Sequence, residues 1–284
     1  MSRIAYVNGQ YVPVSKAMVH IEDRGYQFAD GIYEVCTVVN GRYWDMEGHL
    51  ARLDRSLREL QMDAPMDHAA LRVVMKEVVR RNRLKNALVY MQVTRGVAPR
   101  NHAFPPEGTP PSLVITARRF NLNRGDALAE SGVSVISHPD IRWGRVDIKT
   151  VGLLPNALAK QAASEAGAYE AFLVRDGYVT ECSSSNAWIV DESGALVTHP
   201  KGNTILGGIT RQTAIACAEE LQIKVIERPF TLEEAKAAPE AFLTSATSFV
   251  TPVTAIDGVR IGSGKPGPVA RRLREAYKAR AARG

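Results

Sequence analysis

Val179-Thr-Glu-Cys-Ser-Ser-Ser-Asn-Ala-Trp-Ile-Val190 reads as the end of one strand, a polar turn and a second strand. β-Branched and aromatic residues favour the extended chain on either side, while Ser183, Ser184, Ser185 and Asn186 offer side-chain bonds that break it. The first strand ends on a carboxylate, Glu181, and in isolation such a residue is an ordinary strand-end acid. Just upstream, Asp176-Gly177 between apolar runs marks a hairpin, so strands gather here without a helix between them.

The same clustering holds elsewhere. Asn8-Gly9 and Asn40-Gly41 each sit between apolar alternations, the strongest short hairpin signal because both turn residues need positive φ. Leu50, Leu53, Leu57 and Leu60 recur at helical spacing and predict a helix over 47–60, followed by a second over 69–83. Strands over 87–94 and 112–119 bracket a loop over 96–111 with five prolines, long enough to suggest a functional role. Residues 120–132 are polar and contain glycine, as a linker would. Further on come a strand at 133–137, helices at 156–166 and 210–221, a strand at 187–190, and strands at 241–244 and 253–256. Thr231-Leu-Glu-Glu234 is a capping box that opens a short helix. Strands that cluster rather than alternate with helices predict an α+β protein. Its 284 residues suit two units: an N-terminal α/β domain over 1–120, a linker over 121–132 and a larger C-terminal domain over 133–284.

Composition narrows the class. The 45% hydrophobic and 23% charged fractions belong to a folded globular chain, and no apolar run approaches a membrane span. The start, Met1-Ser-Arg-Ile-Ala, has no apolar secretory core. Cys36, Cys182 and Cys217 form neither a disulfide framework nor a zinc pattern, so no metal is expected and a cytoplasmic setting is. The net charge of +6 lies entirely in residues 265–284, which hold seven bases against one acid. A basic terminal helix without interleaved aromatics reads as a solvated face, capable of weak polyanion contact and not of nucleic-acid recognition.

Three segments carry candidate chemistry. Lys149 follows Ile141-Arg-Trp-Gly-Arg-Val-Asp-Ile, where Arg142 and Arg145 are cationic neighbours of the kind that lower a lysine pKa and make it a Schiff-base nucleophile. Most lysines are solvated charges, so alone this is a weak signal. Glu181 is followed by hydroxyls that could meet an anion. Gly207-Gly208-Ile209-Thr210 runs into a helix start, where unpaired N–H groups and the helix dipole favour phosphate, although a lone Gly-Gly can be a mere cap.

Taken together these motifs are more specific. Arg142-Trp143 through Asp147-Ile-Lys149-Thr, then Glu181-Cys-Ser-Ser-Ser-Asn186 thirty-two residues on, then Leu206-Gly-Gly-Ile-Thr-Arg211, resemble in order and spacing the fold-type IV pyridoxal-phosphate enzymes. The resemblance runs from about residue 6 to residue 257. It implies a two-domain α+β fold whose C-terminal, cofactor-binding domain has a mixed, barrel-like sheet. It also implies pyridoxal 5'-phosphate as cofactor, with Lys149 as the catalytic residue that holds it covalently and shuttles a proton. Glu181 is implied to pair with the cofactor's ring nitrogen. Arg52, Ser185, Ile209, Thr210, Ser245 and Ala246 are implied to bind the cofactor, mostly at its phosphate. Ala246 stands where relatives often carry threonine, leaving its backbone N–H to serve.

Tyr33 matches a substrate-side tyrosine of the family. Arg95-Gly-Val-Ala-Pro-Arg-Asn-His102 is similar to the stretch that supplies an arginine and a histidine to the substrate carboxylate in the D-amino-acid transaminases of the family. The resemblance therefore implies that Tyr33, Arg100 and His102 bind substrate, the last two across the interface of a homodimer. The implied reaction moves the amino group of a D-amino acid, D-alanine foremost, to a 2-oxo acid such as 2-oxoglutarate. Branched-chain L-amino-acid transaminase, aminodeoxychorismate lyase and R-selective amine transaminase share the cofactor machinery. A noncatalytic polyanion-binding protein acting through the basic tail is the alternative from another class.

Overall fold

The structure is a computed structural model that describes residues 3–283; Met1, Ser2 and Gly284 lie outside it, as does the side chain of Arg283, one of the tail cations. Two compact units emerge, one formed by the chain up to Asn121 together with Ile148–Gly152, the other by Leu122–Asp147 and Leu153 onward.

In the first unit β1 (Ile4–Val7) and β2 (Gln10–Pro13) form a hairpin through Asn8 and Gly9, at φ +43° and +93°. A one-turn helix, α1 (Arg24–Phe28), precedes β3 (Gly31–Val39), which turns through Asn40 and Gly41 into β4 (Arg42–Tyr43). Helices α2 (Met46–Glu59) and α3 (His68–Arg81) follow, then β5 (Ala87–Thr94) and β6 (Ser112–Arg119). The six strands form one antiparallel sheet in the order β2-β1-β6-β5-β3-β4. Leu50, Leu53 and Leu57 of α2 and Leu71, Met75 and Val78 of α3 bury against Val89, Met91 and Ile115 of the sheet. This is the period-3.6 face meeting the period-2 face, as the leucine spacing required.

The second unit opens with α4 (Leu122–Ser131) and β7 (Val133–Pro139). Helix α5 (Leu154–Glu165), β8 (Glu170–Arg175), β9 (Tyr178–Cys182), β10 (Asn186–Val190) and β11 (Leu196–Thr198) come next. Then follow α6 (Ile209–Glu220), β12 (Val225–Glu227), α7 (Leu232–Ala237), β13 (Glu240–Ser245), β14 (Phe249–Ile256), β15 (Val259–Arg260) and α8 (Pro268–Arg283). The nine-stranded sheet is mixed, with parallel pairs β11·β12, β7·β14 and β7·β8, and runs β12-β11-β10-β13-β14-β7-β8-β9 with β15 beside β14. In that order β9 and β10 stand five spacings apart, about 24 Å if the sheet were flat. Only Ser183, Ser184 and Ser185 join them, a reach of at most about 14 Å. The sheet must therefore curl, and the stretch from Glu181 to Asn186 spans the seam.

Three expectations are corrected. Residues 121–132 are not a linker, because 122–131 form α4, with Ala129 buried and Leu128 packed on the core of the second unit. Residues 148–152, expected in the C-terminal domain, belong to the first unit, where Ile148 enters the core and Thr150 bridges to Ile32. The basic terminal helix is not a solvated face: Ala270, Leu273 and Tyr277 of α8 are buried, and Arg274 and Lys278 both pair with Asp126. Among the described residues no helix is long and apolar enough to cross a membrane.

Candidate active site

Lys149 is fixed to the first unit by its backbone. Tyr33 N–H donates to Lys149 O at 3.0 Å, and Val151 N–H donates to Gly31 O at 3.0 Å, so residues 149–151 run along the start of β3. The half-buried side chain places Nζ 4.1 Å from the centroid of the Tyr33 ring. An amine over an aromatic face is held there by the ring's negative quadrupole, which orients the side chain. Tyr33 in turn stacks on Tyr90, with centroids 5.6 Å apart, and Tyr90 OH donates to Gln92 Oε1 at 2.6 Å. Burial, with Tyr33 adding to it, pushes the Tyr90 phenol up to about 12, so it is a donor at any working pH. Arg142 and Arg145, the neighbours expected to tune the lysine, are bound to carboxylates: Arg142 to Asp140 and Glu181, Arg145 to Asp147.

One residue along β3, Glu34 is buried in a polar knot. Arg52 of α2 grips it with Nε and Nη2 at 2.7 Å each, and His49 Nδ1 lies 2.8 Å from its Oε2. Burial raises the Glu34 pKa, but the Arg52 guanidinium and the His49 ring outweigh it and hold the carboxyl at about 2. Sequence reasoning singled out Arg52 and not its partners. The signal was present: His49 and Arg52 are spaced i, i+3 on one helix face, and Glu34 interrupts an apolar strand.

The proline-rich loop is pinned rather than loose. Arg24 Nη1 donates to Asn101 O at 2.6 Å and to Ala103 O at 3.3 Å, while Asp30 binds both Arg24 and Arg95 at 2.8 Å. The loop brings Arg100 and His102 to one ring: the Arg100 guanidinium lies 4.6 Å, and the His102 ring 5.4 Å, from the centroid of Phe28. Both residues are exposed.

In the second unit Glu181 is the centre of a buried network. Its Oε1 accepts from Arg142 Nη1, its Oε2 accepts from Asn186 Nδ2 at 2.8 Å, and the Leu206 N–H reaches both oxygens at 3.2 Å. Arg142 is held in turn by Asp140, whose Oδ1 and Oδ2 accept from Nε and Nη2 at 2.8 Å. Burial pushes Asp140 up, but its bonds from Arg142 and Thr180 bring it down to about 2, and burial's pull on Arg142 is overcome by the two carboxylates. Asp140, Arg142 and Thr180 thus form a buried support for Glu181 that the sequence did not disclose, because Thr180 of β9 and Glu181 lie some forty residues from the loop that holds Asp140 and Arg142.

Asn186 carries the network to α6. Its Nδ2 also donates to Leu206 O at 2.9 Å, and its Oδ1 lies where a Cβ on Gly208 would be. Gly208 is the N-cap of α6 without a side-chain cap, so the first-turn amides of buried Ile209 and Thr210 have no intrahelical acceptor. Ser183 and Ser184 both donate to buried Glu170, which fixes the seam turn. Ser185 Oγ is shielded from solvent and, among the described residues, finds no hydrogen-bond acceptor or donor beyond the weak Cys182 thiol beside it. Ser245 Oγ accepts from Ser248 N–H at 3.2 Å and lies 2.8 Å from Ser248 Oγ, with half-buried Ala246 next to it. The second unit therefore gathers Glu181, Asn186, Gly208, Ile209 and Thr210, and the first gathers Tyr33 with Lys149 and Arg100 with His102.

Comparison with known proteins follows the same lines. The amino-transferase class IV family matches residues 31–256. The D-alanine aminotransferase of Bacillus licheniformis is 42% identical over 95% of this chain and 94% of its own length. The D-alanine aminotransferase of Listeria monocytogenes serotype 4b (strain F2365) is 43% identical over 95% of this chain and 93% of its own. Among solved structures, a T.th. branched-chain amino acid aminotransferase with pyridoxamine 5'-phosphate superposes with a TM-score of 0.89 at 28% identity. That match covers 100% of this chain and 96% of the other.

Proposed function

Because the chain belongs to the amino-transferase class IV family, we propose that it is a pyridoxal-phosphate-dependent transaminase that moves the amino group of a D-amino acid to a 2-oxo acid. The observation that carries this reading is the second unit's cradle. A buried carboxylate paired with Arg142 lies one asparagine away from a helix start whose amides have no side-chain cap.

The residues fit pyridoxal 5'-phosphate. Glu181 is an anion with fixed orientation, suited to a protonated ring nitrogen. The amides of Ile209 and Thr210 and the Ser245-Ala246 turn suit a phosphate. Ser185 Oγ is a buried polar atom in want of a stronger partner than the Cys182 thiol. When bound, the cofactor supplies an electrophilic carbon for an amine and a ring that accepts the electron pair left at the substrate Cα.

Lys149 would hold that cofactor through its ε-amine and, once displaced by the substrate amine, move the proton at the substrate Cα. Tyr33, under Nζ, orients the amine. Glu181 would face the cofactor's ring nitrogen and favour its protonated form, and Arg142 pairs with Glu181. Arg52, oriented by Glu34 and His49, is assigned to the phosphate. Arg100 and His102 would take the substrate carboxylate, the guanidinium bidentately. Their exposure supports their serving the site of a second copy in a homodimer. Met18, Ile21, Tyr26 and Phe104 support it too: these large apolar side chains on the same unit are 56–78% exposed, surface that a second copy would cover. The three cysteines are buried free thiols, in keeping with a cytoplasmic enzyme.

Chiral analysis of the glutamate formed from racemic alanine and 2-oxoglutarate tests the reading. D-glutamate with residual L-alanine is expected. L-glutamate with residual D-alanine would move the assignment to an L-specific transaminase of the same family.

A further inference from the structure

Helix α8 meets the β13–β14 turn through Arg274 and Tyr277. Arg274 Nη1 donates to Ser248 O and to Val250 O at 2.7 Å each, so one nitrogen bridges the two carbonyls that flank Phe249. Phe249 has φ +62°, a left-handed conformation that bulky residues rarely adopt and that the surroundings must enforce. Its buried ring lies 5.4 Å from the Tyr277 ring of α8 and 5.5 Å from the Arg274 guanidinium. Arg274 Nη2 is held from the other side by Asp126 of α4 at 2.8 Å, and Lys278 Nζ reaches the same oxygen at 2.8 Å. At the start of β13, Glu240 accepts from the Val269 and Ala270 N–H groups at 3.0 Å each and so caps α8. Helix α8 thus grips the hairpin at both ends of β13. Between the two grips lies the turn that carries Ser245 and Ala246.

We propose that Arg274 is a positioning residue for the cofactor phosphate. By holding the backbone around Phe249 it sets the Ser245–Ser248 turn against which the phosphate docks. Cofactor affinity is then governed in part by a C-terminal helix that supplies no group to the cup. This rests on the reading of the Ser245-Ala246 turn and the α6 start as a phosphate site.

The test compares the apo-protein with Arg274→Met, which keeps the length and loses the donors, and with Arg274→Lys. Thr210→Val, on the α6 side of the cup, is the reference. Equilibrium dialysis measures binding of pyridoxal 5'-phosphate and, separately, of pyridoxal, which has no phosphate. Arg274→Met should weaken pyridoxal 5'-phosphate by about tenfold to a hundredfold while moving pyridoxal by no more than about twofold. Arg274→Lys should fall between, and it carries the comparison alone should Arg274→Met fail to fold. Amide exchange over 245–250 should speed up in Arg274→Met with α6 unchanged. Equal weakening of both ligands, or of neither, overturns the proposal. If Thr210→Val selectively loses the phosphate ligand and Arg274→Met does not, the role of α8 fails and the phosphate cup stands. If neither variant discriminates between the ligands, the cup itself is misassigned and the proposal falls with it.

Discussion

At the scale of single residues, two side chains divide the proposed chemistry. Lys149→Ala removes the amine held over Tyr33. Turnover should vanish, along with the lysine that borohydride can reduce onto the cofactor. Peptide mapping that finds cofactor trapped at another lysine of the variant would reassign the nucleophile. Glu181→Gln keeps the shape and removes the charge that Arg142 and the Leu206 amide are built to hold. Cofactor should remain bound while the single-turnover half-reaction with D-alanine slows by about a hundredfold or more, since charge stabilisation of this kind contributes several kcal/mol. An unchanged single-turnover rate would leave Glu181 as a strand-end acid and nothing more. The sequence offered both residues by their motifs. It did not offer Asp140, whose bond to Arg142 is local, or Thr180, whose bond arises only when β9 and the loop after β7 lie side by side.

At the scale of elements, helix starts and buried knots set what substitutions cost. Gly208 caps α6 with Asn186 Oδ1 packed where a side chain would begin. Gly208→Ala must therefore push Asn186 off Glu181 or shift the first turn of α6. Weaker cofactor binding and a melting temperature lower by several degrees are expected from calorimetry of the apo- and cofactor-loaded forms. The Glu34 knot has a pH signature. Its carboxyl sits at about 2 in the fold against 4.5 when unperturbed, so its stabilisation is complete above about pH 4.5 and lost as pH falls toward 2. Glu34→Gln leaves buried Arg52 without the carboxylate that grips it and should cost about 3–5 kcal/mol at neutral pH. The variant's stability should also vary less between pH 4.5 and 2 than that of the parent, as denaturant titrations at each pH will read. Hairpins at Asn8-Gly9 and Asn40-Gly41 were legible because positive φ is a local demand. Helix α4 was not, because Leu122-Asn-Arg-Gly-Asp reads as a polar loop until Asp126 meets Arg274 and Lys278.

For the whole molecule, the question is whether Arg100 and His102 serve their own chain or another. Arg100→Ala should lower kcat/KM for D-alanine by about tenfold to a hundredfold, the loss of a charge-assisted pair to the carboxylate. Mixing Arg100→Ala with Lys149→Ala subunits then separates the two arrangements. If the loop acts on a second copy, each mixed dimer holds one site with both lesions and one with neither, and activity reappears from two impaired parents. Mixed samples no more active than the average of the parents would place Arg100 in the site of its own chain, or outside any site.

The sequence alone determined the α+β class, the positions of the hairpins and long helices, the order of the three motifs and the family they resemble. Each of these is written in residues close together along the chain, where periodicity, turn chemistry and spacing act. The tertiary structure decided which charge each buried arginine serves: Glu34 for Arg52, Asp140 and Glu181 for Arg142. It also decided that residues 148–152 join the first unit and that a basic terminal helix locks a hairpin. Apart from Asp140 with Arg142, two positions apart, these ion pairs join residues 18 and 39 positions apart. A buried charge takes whichever counter-charge the packed fold leaves within reach, and one-dimensional spacing carries no record of that choice.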